Sequence, residues 1–201
     1  MLAEWSAECT ADDPILVVPW SDPSDPSGMR FVDLRENPYD LDHLPEAERN
    51  PPLMQALRSL NAPRSLLFTA KCDAWSLDSD ELEALILNLD PDLDGHPDNP
   101  TGFASYIDLL WRDRQIFISF HQQQQLLDRL TRRAAALDHP EAALDFVLRP
   151  ALIDLTGPQE GFAISLYVKA IGPDLDTAWH RWAAALDDVV SLLRSKDLLL
   201  A

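Results

Sequence analysis

The chain of 201 residues is short of glycine, with only six. They are Gly28, Gly95, Gly102, Gly157, Gly161 and Gly172, and no two stand one residue apart, so the G-x-G-x-x-G dinucleotide fingerprint is missing. No glycine precedes Lys-Ser or Lys-Thr, which excludes a Walker loop, and no G-x-S-x-G elbow occurs. Rossmann-type, P-loop and common α/β-hydrolase chemistry are therefore not expected.

Cysteine is also scarce. The two present, Cys9 and Cys72, form no C-x-x-C. A disulfide framework or a zinc ribbon needs more, so the chain is expected in a reducing cytoplasm. No apolar run approaches the roughly 18 residues of a membrane span. The opening Met1-Leu-Ala-Glu-Trp5 has neither the basic nor the apolar region of a secretory signal, so none is expected.

The third shortage is positive charge. Sixteen Lys and Arg face 34 Asp and Glu, a net charge of −18. The acids are mostly aspartate, 25 against 9 glutamates, and only three of the bases are lysine. A nucleic-acid binder neutralises phosphates with clustered bases. The one basic cluster, Arg129, Arg132 and Arg133, has helical spacing and reads as a solvated face. The overall field repels nucleic acids and anionic membranes alike. The same excess suits a basic protein partner, reached by electrostatic steering.

What remains is a globular composition, 46% hydrophobic and 25% charged. Residues 1–50 read as an irregular, acidic, proline-rich arm with short strands at Ile15–Val18 and Phe31–Leu34. Asp22–Gly28 is turn chemistry throughout. Trp5, Trp20, Phe31 and Tyr39 imply that the arm packs on the body.

Residues 51–201 read as a single domain. Asn50-Pro51 opens a helix carrying Leu53, Leu57 and Leu60. Ser65–Trp75 is strand-like. Asp78 and Glu81 form a capping box, and Leu77 and Leu82 a hydrophobic staple, at the start of the next helix. Gly102–Trp111 and Gln115–Phe120 are expected to pair as a hairpin, and His121–Leu137 to form a helix. Residues 139–145 are ambiguous, with Pro140 and Glu141 able to open a short helix. Phe146–Leu155 and Phe162–Ile171 are strands, with Pro150 requiring an edge or a bulge in the first. The strongest helical pattern runs from Leu175 to Leu193. The order predicts an α+β fold: a largely antiparallel mixed sheet of about five to seven strands, with helices packed on one face as an α/β sandwich. Gly102-Phe-Ala and Gly161-Phe-Ala both open strands. The first is expected to lead into a strand and the second into a helix, which argues against a duplication.

Two places carry candidate chemistry. Asp90, Asp92, Asp94 and Asp98 have the D-x-D-x-D-G spacing of the first half of an EF-hand-type calcium loop, with Gly95 at the turn. Thr101 stands where the bidentate glutamate belongs, so the ligand set is incomplete. An acidic loop of helix caps and turns is the alternative reading, and calcium is the one cofactor the sequence suggests. Lys71-Cys72-Asp73 ends an apolar strand. There Cys72 is either a nucleophile activated by a neighbouring charge or a small core residue. No histidines pair as H-x-x-x-H, so a site must assemble over long range. Cys72, Asp73, Asp108, His121 and His180 are the residues expected to converge if a pocket exists.

Three functional readings follow. The first is a non-enzymatic, acidic, cytosolic interaction protein covering a basic partner, as bacterial immunity-type or regulatory proteins do. The second is an enzyme or small-ligand protein with a pocket of unrecognised type. The third is a calcium-stabilised domain using Asp90 to Asp98.

Overall fold

Six strands form one mixed sheet in the order β1-β5-β6-β4-β3, with β2 lying beside β5 on the same edge as β1. The strands are β1 Leu2–Ala7, β2 Leu16–Val18, β3 Leu67–Ser76, β4 Thr101–Trp111, β5 Ala142–Ile153 and β6 Gln159–Gly172. The helices are α1 Pro45–Arg49, α2 Pro51–Asn61, α3 Ser79–Leu89, α4 Arg114–Phe117, α5 Phe120–Ala134 and α6 Leu175–Leu193. The computed structural model describes residues 1–21, 30–89, 100–195 and 198. The expected turn at Asp22–Gly28 and the acidic loop Asp90, Asp92, Asp94 and Asp98 lie outside the described residues. The pairs β3–β4, β4–β6 and β5–β6 are antiparallel, while β1 and β2 run parallel to β5. This is the α+β architecture the element order implied.

Local chemistry explains most boundaries. The capping box forms: Asp78 Oδ1 accepts from the Glu81 amide at 2.9 Å, and Glu81 Oε2 accepts from the Asp78 amide at 3.1 Å. Leu77 and Leu82 join the small cluster of Leu85, Ala143 and Ile171 that seats α3. Asp174 caps α6 by accepting from the Thr177 amide at 2.7 Å. Pro150 falls between the stretch of β5 paired with β1 and the stretch paired with β2, so no outer strand needs its missing N–H.

Three expectations are corrected. Gln115–Phe120 is not a strand. Asp113 caps α4 through the Gln115 amide and Ser119 caps α5 through the Gln122 amide, so two N-caps override the β-prone Ile116-Phe-Ile118 run. Both Gly-Phe-Ala strands therefore lead into helices, and the contrast expected between them is absent. Residues 142–145 belong to β5 rather than to a short helix. Trp5 of the arm donates to Asp128 on α5 and Trp20 to the Ala70 carbonyl, and the arm begins with a strand, while Phe31–Leu34 forms none. Tertiary pairing with β5 supplies β1 with order that its own sequence does not signal.

The two faces of the sheet differ. On one, α2, α5 and α6 bury the core. Phe103 meets the Trp182 ring edge-on at 4.8 Å, and Trp182 Nε1 donates to Ser105 Oγ at 2.9 Å. On the other, α3 covers Ala143 and Ile171 at one end. The arm reaches the other end, where Arg35 stacks over the Phe68 ring at 4.1 Å. Between them lies a polar strip. Tyr106 on β4 stands directly opposite Tyr167 on β6, and Asp108 opposite Ser165. On β5, Asp145 pairs with Lys169 across the strands.

Candidate functional site

A cavity lies where the arm crosses the free edge of β3. Its volume is about 800 Å3, within the range of small-molecule sites. A β-bulge interrupts β3 along this edge. The register moves from Thr69 opposite Leu109 to Cys72 opposite Ile107, so Ala70 and Lys71 together oppose Asp108. Thr69, Ala70, Lys71, Cys72 and Asp73 all border the cavity in succession, where a regular strand buried on both sides would offer alternate residues.

The arm closes the opposite side. Trp20 Nε1 donates to the Ala70 carbonyl at 2.9 Å, which satisfies a bulge carbonyl on the sheet edge. The Lys71 ammonium stands 4.7 Å over the Trp20 ring. Ser21 and Arg30 pair across the arm, and Phe31 returns an amide to the Trp20 carbonyl at 2.8 Å. Val32, Leu34 and Leu44 supply apolar wall, and Asp40 and Glu46 supply carboxylates.

Two perturbed groups line the cavity, Cys72 and Tyr106, and a third, Asp108, stands behind them. Burial pushes the Cys72 thiol up to about 12, and the nearby carboxylates of Glu46, Asp73 and Asp108 push the same way. Burial and these carboxylates work against a thiolate at Cys72, the form a nucleophile needs. Burial also raises the Tyr106 phenol, with Asp108 the next cause. Asp108 itself is buried, and desolvation lifts its carboxyl above the ordinary aspartate value. A 2.5 Å hydrogen bond from Ser165 Oγ and the charges of Arg149 and Lys71 pull the other way.

Across the tyrosine pair lies a second, shallower depression of about 330 Å3. The Tyr106 and Tyr167 rings are 6.0 Å apart and divide the two. Here both cations already have carboxylate partners. Arg149 donates to Glu8 at 2.9 Å and to the Tyr167 hydroxyl at 3.4 Å, and Lys169 donates to Asp145 at 3.0 Å.

The five residues expected to converge separate into two groups. Cys72 and Asp73 border the cavity, and Asp108 lies within electrostatic reach of Cys72 and Tyr106. His121 and His180 lie elsewhere, exposed on α5 and α6. His121 contacts Gln125 at 3.0 Å, and His180 contacts the Asp176 carbonyl at 2.8 Å. Trp20, Glu46 and Tyr106 were not marked by the sequence, because the arm and the bulge bring them together from distant positions. Trp111 and Trp182 are core residues, as the helical stripe of the latter implied. No group of three or more metal-ligating side chains gathers among the described residues. No helix among them is long and apolar enough to cross a membrane. Comparison with protein-family models, curated proteins and solved structures finds no match to this chain.

Proposed function

We propose that the protein is a non-catalytic binding protein that takes a small molecule into the cavity between the arm and the bulged edge of β3. One observation carries this reading. The cavity combines an aromatic ring, apolar wall and charged side chains that find no ion-pair partner among the described residues. A cavity of this volume with a few convergent polar groups is what small-molecule recognition requires. The acidic, buried surroundings of Cys72 oppose thiolate formation, which supports binding over thiol chemistry in this reading.

The test is a titration of the folded protein with 1-anilinonaphthalene-8-sulfonate, whose aromatic body and anion suit Trp20 and Lys71. We expect saturable, single-site fluorescence enhancement. Filling the cavity with Val32→Trp should abolish it while leaving the far-UV circular dichroism unchanged. A signal that never saturates, or one that survives the filling substitution, would overturn the reading.

A further inference from the structure

We infer that the ligand of this cavity is a zwitterion with an apolar body, of the size of a short peptide with both termini free, its carboxylate held by Lys71 and its ammonium by Glu46. The inference rests on the binding function proposed above and specifies its chemistry.

The starting point is how this chain treats its half-buried cations, four of which are paired with carboxylates. Lys169 takes Asp145, Arg149 takes Glu8, Arg35 takes Asp33 and Arg181 takes Glu141. Lys71 breaks the pattern. It is half-buried, and among the described residues its ammonium has an indole face for a partner and no carboxylate within ion-pairing distance. Arg30, which is exposed, borders the same cavity and forms no ion pair with a described residue.

Glu46 is the counterpart. It is half-buried on α1, borders the same space, and its carboxylate forms no ion pair or side-chain hydrogen bond with a described residue. Its charge reaches Cys72, since it is the second cause of that thiol's shift. Charges of both signs therefore face one cavity without neutralising each other. Partly desolvated charges are costly unless something pairs them. A molecule carrying both signs pairs both at once, whereas a singly charged one leaves the other uncompensated. Val32, Leu34 and Leu44 ask for an apolar body between the charges. The volume of about 800 Å3 exceeds what one amino acid fills, which points to a short peptide.

The experiment is calorimetric titration of the full chain with the dipeptide leucyl-phenylalanine, its N-acetyl form and its C-terminal amide. The zwitterion should bind, and blocking either end should weaken binding by about tenfold or more, the scale of one charge-assisted hydrogen bond. Glu46→Gln should erase the penalty for acetylation and keep that for amidation. Lys71→Met should do the reverse. Melting curves of both variants establish that they are folded. Equal binding of the three peptides would overturn the inference. So would failure of the zwitterion to bind where the sulfonate dye does, which leaves the binding function standing. Silence of dye and peptide together would remove both.

Discussion

The two faces of the sheet are built on opposite rules. The face under α2, α5 and α6 is closed by large apolar side chains, and buried polar groups there include the hydrogen-bonded pairs Trp182 with Ser105 and Asn61 with Thr69. Among the described residues, the other face is covered by α3 at one end and by the arm at the other. Its middle keeps Asp108, Ser165, Tyr106, Tyr167, Lys169 and Arg149 along neighbouring strands. The same three central strands serve both faces, because alternate residues point to opposite sides. Stability is thus concentrated on one side, which leaves the other free to hold charge.

The largest test of this contrast is Trp182→Ala. It empties a fully buried site and strips Ser105 of its partner. A loss of about 3–5 kcal/mol in urea unfolding is expected. A loss under about 1 kcal/mol would mean that the helix-covered face does not carry the fold.

A smaller effect, with a sign, is expected at Asp108. Its carboxyl is lifted by burial, so the folded state holds the proton more tightly than the unfolded one. Stability should then fall as pH rises from the ordinary aspartate range through the raised value. Asp108→Asn keeps the acceptor for Ser165 and removes the charge. Melting temperatures should match at pH 4, with the variant higher at pH 8. Parallel pH profiles for the two proteins would show that the polar strip is solvated as a surface is.

The smallest effect belongs to Lys169→Met, which breaks the half-exposed pair with Asp145. Denaturation should register less than about 1 kcal/mol. A larger loss would blur the division between the faces.

Much of the fold was legible in the sequence because it rests on local signals. The stripe of α6, the capping box of α3 and the strand at Leu16–Val18 all declare themselves within a few residues. Strand β1 does not. Leu2–Ala7 alternates weakly, and it is a strand only because β5 lies beside it. The misread at Gln115–Phe120 shows the converse, since two short caps decide against a β-prone run. For the site, Lys71-Cys72-Asp73 stood out, but as a possible nucleophile rather than as a rim. The bulge that explains it has no glycine at Ala70-Lys71 to announce it. The histidines were drawn in by their chemistry alone, and they decorate the outer surfaces of two helices.

The path of the arm sets the order in which the molecule can be assembled. Strands β5 and β6 pair across a short turn and need only their own neighbourhood. Glu8 meets Arg149 across 141 positions of chain, and Trp20 meets Ala70 across 50. Contacts of such long range bear the largest loop-closure cost and slow the reactions that depend on them. The wall of the cavity is thus drawn from the part of the chain with the most distant partners. Under the proposed function, a ligand in this cavity would stabilise the contacts that close the longest loops of the chain.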